Sequence, residues 1–374
     1  MIKKKKILFM IPLPPPIHGA AMMGEYLRTS RLITSMFNCT FVNTLLSRDI
    51  KDNVYGIAKL WRYLSIWIKI LYLCIFNRYD LCCFAITCYG IGFLKDAPLV
   101  LICKLLRQPL VIYQHNTGMS VYAKRPVYRT LYHWVYKKTP TILLSQWLWQ
   151  DISIHVPREN IIICPNGIPD EVGGLQPSSE HNTPPRLLFF SNLLQSKGIL
   201  VFLDALCAIR KRGVAFTADI VGAPSAEISV EQVSSFLKAH ALDKQVIVYG
   251  PCFGKDKLER FRACDIFVFP SFKEAFPLVL LEAMMFGKAC VASETGGIPD
   301  IVVNGETGFL CPPCSVEELT DAIVKLLETP GLRAEMGERG RQRFEAYFTY
   351  DKYEKNFAYA ITKAIRFYRK KKKQ

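Results

Sequence analysis

The stretch DIFVFPSFKEAFPLVLLEAMMFG, residues 265–287, changes character twice along its length. Residues 266–269 are an unbroken run of Ile, Phe and Val, the length and make-up of a strand buried on both faces. Residues 270–276 mix Pro, Ser, Lys and Glu and read as a loop. Pro277 suits the first turn of a helix that carries Glu282 and stops at Gly287. A strand feeding a helix through a short loop is one βα step, and the step recurs along the chain. In the same half, strand-length runs stand at 187–191, 218–221, 246–249, 289–292 and 308–311. Before the polar stretch 177–185 they stand at 7–11, 39–44, 81–86, 110–115, 141–145 and 161–164. Such alternation predicts an α/β protein with two doubly wound parallel sheets and ligands beyond the carboxyl ends of the strands.

The stretches between the runs carry helix signals. Ser315 followed by Glu318 has capping-box spacing, with Leu319, Ile323, Leu326 and Leu327 on one face. Gly198 opens a helix whose Phe202, Leu203, Leu206 and Ile209 form a stripe, and Gly213 ends it. With 374 residues, half apolar and 21% charged, the chain has material for two cores and is neither disordered nor fibrous. A formal charge of +16 favours a phosphate-bearing partner without choosing among nucleic acid, anionic lipid and a phosphorylated ligand. Residues 1–20, MIKKKKILFMIPLPPPIHGA, begin like an export signal, but the apolar run 7–11 is too short and meets Pro12, Pro14, Pro15 and Pro16. A first strand is the better reading, and the thirteen cysteines, an odd number, then read as reduced thiols. Cys311 and Cys314 have redox or metal spacing but lack a second pair or a nearby His, and read as a Pro-rich turn.

Chemistry concentrates in PSFKEAFPLVLLE, residues 270–282. The opening turn of its helix leaves backbone N–H groups unpaired where the dipole is positive, so the amides of residues 276 to 278, at Phe276, Pro277 and Leu278, are expected to face an anion. A carboxylate accepts hydrogen bonds from vicinal hydroxyls, and Glu274 and Glu282 are spaced to address two parts of one extended ligand. Taken alone, two Glu at this spacing would read as solvated surface.

Their context decides otherwise. Glu274 and Glu282 with seven residues between them, the preceding DIFVFPS (265–271), and the following GGIP (296–299) and NGETG (304–308) resemble the retaining glycosyltransferases of family 4 in order and spacing. The resemblance spans nearly all of the second half. It implies the GT-B fold, in which two Rossmann-like domains face each other across a cleft. The first, residues 1–170, would take the acceptor; the second, 171–349, the nucleotide sugar; and a last helix, 350–374, would return to the first. It also implies that Glu282 holds the ribose of the nucleotide and Glu274 the hydroxyls of the donor sugar.

Further elements match unevenly. In SNLLQSKG (191–198), Lys197 stands where the family neutralises the diphosphate, while Asn192 replaces its arginine and brings no charge to the leaving group. PLPPPIHGA (12–20) resembles the family's glycine loop near the phosphates and acceptor, with Gly19 present and Ala20 in place of the second glycine. A lone His at a strand end usually reads as structural, but His115 stands where the family has a His against the donor sugar. PNGI (165–168) resembles the hinge, and Gly222 and Gly250 end strands where the family places the nucleotide.

There is no Asp-x-Asp and no His/Cys cluster of ligand spacing, so neither a metal nor another cofactor is expected. Gly90 and Gly92 lack the third glycine of a dinucleotide loop. Residues 55–76, YGIAKLWRYLSIWIKILYLCIF, place Leu60, Tyr63/Leu64, Trp67 and Ile70/Leu71 at helical spacing. The pattern suits a helix lying in a membrane interface and, equally, a core helix. Basic clusters at Lys3 to Lys6 and Arg369 to Lys373 add attraction to an anionic leaflet. No nucleic-acid reader motif accompanies the charge, and nucleic acid is not an expected partner. The expectation is therefore a cytoplasmic-face hexosyltransferase, peripheral on an anionic membrane surface. It would move a hexose or N-acetylhexosamine from a nucleotide sugar, foremost a UDP-sugar, to a glycan acceptor on a lipid diphosphate. The rivals are another GT-B enzyme, an epimerase or phosphorylase, and more remotely a basic nucleic-acid-binding protein.

Overall fold

In the computed structural model, the structure describes residues 3–46, 57–172 and 182–371. The chain divides into two compact units, one of residues 1–166 with 350–374 and one of residues 167–349. Each is built on a six-stranded parallel sheet. The first unit holds β1 (Lys5–Ile11), β2 (Phe37–Asn43), β3 (Leu81–Ile86), β4 (Leu110–Gln114), β5 (Thr141–Leu143) and β6 (Ile161–Ile163), in the order β2-β1-β3-β4-β5-β6. The second holds β7 (Arg186–Phe190), β8 (Thr217–Val221), β9 (Val246–Tyr249), β10 (Ile266–Phe269), β11 (Ala289–Ser293) and β12 (Gly308–Cys311), in the order β12-β11-β10-β7-β8-β9.

All twelve expected runs are strands, displaced at most by a residue or two. Helices cover both faces of each sheet, so the central strands are apolar throughout: Ile7 to Met10, Leu81 to Phe84 and Ile266 to Val268 are fully enclosed. The direction of strand order reverses between β1 and β3 in the first unit and between β7 and β10 in the second. Crevices for ligands open at such reversals, beyond the carboxyl ends of the strands.

Cations at helix ends account for part of the surplus charge. Arg333 donates to the carbonyls of Leu326 (2.9 Å) and Leu327, Arg343 to those of Asp300 and Ile301 (2.8 and 2.9 Å), and buried Lys288 to that of Arg262 (2.8 Å). The last turn of a helix leaves these carbonyls unpaired at its negative pole, so they accept cations well. Arg341 does the same for Met285, at 2.7 Å, while its guanidinium spans both oxygens of Asp170 at 3.0 and 2.6 Å.

The last helix, Tyr350–Lys371, belongs to the first unit. Its Tyr353 hydroxyl meets that of Tyr113 at 3.1 Å, its Glu354 accepts from Ser30 at 2.7 Å, and its Tyr368 donates to the Leu110 carbonyl at 2.7 Å.

The helix Ile57–Phe76 forms where the apolar spacing places it; Tyr55 and Gly56 of the expected stretch lie outside the described residues. Its expected stripe divides: Ile70 is buried and Tyr63 and Trp67 are half-buried, the Tyr63 hydroxyl donating to the Lys95 carbonyl, while Leu64 and Leu71 are exposed. The opposite side is also apolar, with Trp61, Leu64, Ile68, Leu71, Tyr72, Ile75 and Phe76 exposed. Among the described residues no helix is long and apolar enough to cross a membrane.

Candidate functional site

Two loops leave the sheet of the second unit at its order reversal, residues 191–198 after β7 and 270–277 after β10. They are bonded together. The Phe272 amide and the Ser271 hydroxyl donate to the Ser196 carbonyl at 2.9 and 3.2 Å, and Thr295 donates to the Phe272 carbonyl at 3.2 Å. Two glycines in the left-handed region let the backbones close. A Cβ at Gly198 (φ +78°) would stand 1.9 Å from the Pro270 carbonyl oxygen, and one at Gly296 (φ +56°) 1.7 Å from that of Glu274.

This clamp brings Lys197 and Glu274 into an ion pair, and the Ser271 hydroxyl donates 2.9 Å to the same Glu274 oxygen. Lys197 is 29% exposed and Glu274 11%, so one cation and one carboxylate reach the crevice with restricted access to water. The neighbouring Asn192 is exposed.

The helix Leu278–Met285 starts beside them, with one correction. Pro277 is its N-cap, with ψ 123°, rather than a residue of the first turn. It has no N–H, so the opening donors are the amides of Leu278, Val279 and Leu280, and the donor span expected at residues 276 to 278 moves down the chain. Phe276 is buried, and its ring lies 5.9 Å from that of Phe348.

Glu282, on this helix, is 12% exposed and pairs through Oε1 with Lys257, while Oε2 is buried with no hydrogen-bond partner among the described residues. Burial pushes its carboxyl above the usual range, the Lys257 charge and hydrogen bond acting against it. A buried acceptor without a donor is costly, and a ligand hydroxyl would satisfy it.

Gly222 also serves the clamp, since a Cβ there would stand 1.8 Å from the Ser191 carbonyl oxygen, whereas Gly250 has open space around it. The crevice thus gathers Lys197, Glu274, the helix start and, further along, Glu282.

In the first unit, His18, Gly19 and His115 follow β1 and β4. Gly19 opens the helix Gly19–Thr29, which His18 caps by accepting from the Ala21 amide through Nδ1 at 3.4 Å. The close backbone approach belongs to Gly24, where a Cβ would meet the Pro12 carbonyl oxygen at 2.0 Å. The His115 ring lies 3.9 Å from that of Tyr113. Burial, and secondarily the charge of His18, push its imidazole down to about 3, so it acts as a neutral hydrogen-bonding group.

That burial has a measurable consequence. Folded His115 stays neutral to about 3, while the unfolded chain binds a proton near 6.5, so stability is full above 6.5 and falls as pH drops below it. By about pH 5 this one site removes about 2 kcal/mol. His115→Gln is expected to flatten the fall in Tm between about pH 7 and 5, and an unchanged slope would show that another group titrates.

Lys257, Ser271 and His18 were not singled out as site residues by the sequence. Ser271 and His18 lie inside recognised motifs, but Lys257 reaches Glu282 across 25 positions with no local signal. Among the described residues no group of three or more His, Cys, Asp or Glu is placed to hold a metal ion.

Residues 175–343 match the family model described as glycosyl transferases group 1. The N-acetyl-alpha-D-glucosaminyl L-malate synthase of Bacillus anthracis is 39% identical over 88 residues, covering 24% of this chain and 23% of that protein. The D-rhamnosyltransferase WbpZ of Pseudomonas aeruginosa is 33% identical over 170 residues, covering 44% of this chain and 42% of that protein. The matched stretches thus span less than half the length of either relative. Among solved structures, that of Anabaena HepE in complex with UDP and glucose aligns over 96% of this chain and 100% of its own, with a TM-score of 0.70 and 19% identity.

Proposed function

We propose that this chain, whose second unit belongs to the group 1 glycosyltransferases and whose fold is GT-B, transfers a hexose or N-acetylhexosamine from a UDP-sugar to a hydroxyl of a glycan acceptor. The observation that carries the reading is the crevice at the β7/β10 reversal, where a lysine, two carboxylates and a helix start converge. It offers charge and amides for a diphosphate and acceptors for hydroxyls. HepE, a structural neighbour, is described in complex with UDP and with glucose, which supports a UDP-sugar.

In this reading Glu282 takes a ribose hydroxyl on its unpaired Oε2, and Glu274 takes hydroxyls of the sugar, a role shared with His115 on the strength of the family resemblance. Asn192, Gly19, Gly222 and Gly250 keep the donor- and acceptor-binding places that the resemblance implies. The departing diphosphate collects negative charge, which Lys197 and the amides of Leu278 to Leu280 stabilise without moving. Attack comes from the same face, with retention at the anomeric carbon, so catalysis consists of positioning and charge stabilisation. The reaction is read as needing neither a metal nor another cofactor. The acceptor is read as a glycan on a lipid diphosphate in surface-polysaccharide assembly, with the protein peripheral on the inner face of a membrane. The amylovoran biosynthesis glycosyltransferase AmsK of Erwinia amylovora, a second curated relative, supports a place in glycan biosynthesis.

A panel of nucleotide sugars, assayed for transfer to membrane lipid extracts and soluble glycans, tests the reaction. Titration with UDP tests the site: Glu282→Ala is expected to raise Kd by about 10- to 100-fold, the loss of hydrogen bonds to a charged acceptor. Equal UDP affinity in both proteins would remove Glu282 from the nucleotide site.

A further inference from the structure

One member of each basic cluster, Lys5 and Arg369, acts on the same carboxylate, Asp80, in the folded first unit. Lys5, at the amino end of β1, pairs with Asp80 at 2.9 Å just before β3. Asp80 also feels the charge of Arg369, near the end of the last helix. Arg78 and Arg107 lie just before β3 and β4, at the same edge of the sheet. Both are exposed, and neither forms an ion pair among the described residues.

Arg78 and Arg107 flank a cavity of about 450 Å³ lined also by Cys74, Phe76, Asn77 and Gln108. Gln108 is its satisfied floor: its amide donates to the carbonyls of Cys74 (2.7 Å) and Asn77 (2.9 Å) and accepts from the Tyr79 amide (3.2 Å). The carbonyls that would repel an anion are therefore already occupied, and the two guanidinium groups are left to meet one. Arg107 holds φ +53°, a position after a helix end that glycine normally fills.

The cavity opens at the end of the helix Ile57–Phe76. Its outward Trp61, Leu64, Ile68, Leu71, Tyr72, Ile75 and Phe76 recur at intervals of three and four, the spacing of one helical face. Lys69 is exposed at the margin of that face, and Leu105, 82% exposed, follows at the end of the neighbouring helix Gly90–Leu105. An apolar strip rimmed by unpaired cations complements a surface that is apolar within and anionic outside.

We infer that this part of the first unit is a docking surface for an anionic lipid bilayer, the outward face of the helix Ile57–Phe76 entering the interface while Arg78 and Arg107 hold a lipid phosphate. The inference deepens, and for its purpose rests on, the reading of a membrane-borne acceptor. The helix lies flat, with its inward face still packed on the sheet.

Sedimentation with vesicles of phosphatidylcholine alone, or mixed with phosphatidylglycerol, tests it. Binding is expected to the mixed vesicles and to weaken with salt. Arg78→Gln with Arg107→Gln should lower the partition coefficient about 30-fold, two charges at about 1 kcal/mol each. Brominated lipid should quench Trp61 fluorescence, and Trp61→Phe should abolish that component without disturbing the fold. Equal binding to both vesicle types, an unaffected arginine variant or an unquenched Trp61 would overturn the inference. So would inorganic phosphate binding in the cavity with no vesicle binding, or concentration-dependent self-association abolished by Ile68→Ser with Tyr72→Ser. UDP titration of the same preparations separates the claims. Vesicle binding without UDP binding refutes the transferase reading alone, and the converse refutes the docking surface alone.

Discussion

Lys197→Ala is expected to lower kcat by about 10²- to 10³-fold with any donor the protein accepts, the loss typical of one preorganised donor at a site of developing charge. Lys197 is the cation held in the crevice beside Glu274, and the nearby Asn192 brings no charge. Because the same lysine balances Glu274, a fall in activity could also arise from an unpaired carboxylate. The double variant Lys197→Ala with Glu274→Gln separates the two causes. Glu274→Gln alone is the reference: if Lys197 stabilises the leaving diphosphate, the double variant is slower than Glu274→Gln by the same factor, and if Lys197 serves only to balance Glu274, the two turn over equally. Steady-state kinetics with saturating donor make the measurement, and unchanged kcat in the single variant would remove Lys197 from the reaction.

Lys257→Met is expected to destabilise the protein by about 2 kcal/mol, less than the ~3–5 kcal/mol lost from a fully buried pair because Lys257 is 25% exposed. The loss comes from Glu282, left buried with neither oxygen paired. Its dependence on pH identifies the cause. Burial already raises the Glu282 carboxyl, and removing Lys257 raises it further, so the folded variant holds a proton that the unfolded chain has released. Stability then falls as pH rises from the unfolded value through the folded one, and the variant's deficit is larger at about pH 8 than at about pH 5. Thermal melts of both proteins across that range make the comparison. Lys257→Arg should recover most of the loss, and a deficit independent of pH would mean that Lys257 contributes packing alone.

Much of this architecture could be read from residue order because strands buried on both faces leave unbroken apolar runs. Bounds shifted where charge intrudes, as at β1, which begins at Lys5 because that lysine has Asp80 to pair with. Ser315 caps its helix through the Glu318 amide, while both limbs of a capping box form at Ser229 and Gln232. The family resemblance, rather than spacing alone, marked Lys197, Glu274 and Glu282. It did not reveal that Oε1 of Glu282 is already taken, since that depends on how two helices meet in three dimensions. The helix Ile57–Phe76 left two readings open for a different reason: its large apolar side chains stand on both its inward and outward faces, so periodicity could not say which face the protein covers.

The second unit is inserted into the first, since the chain leaves the first unit after Asn166 and returns at Tyr350. During synthesis, the inserted unit has all of its strands available while its host still lacks the helix that supplies Tyr353 beside Tyr113. The inserted unit can therefore mature on the ribosome ahead of the unit that is translated first, whose closing segment emerges only after residue 350.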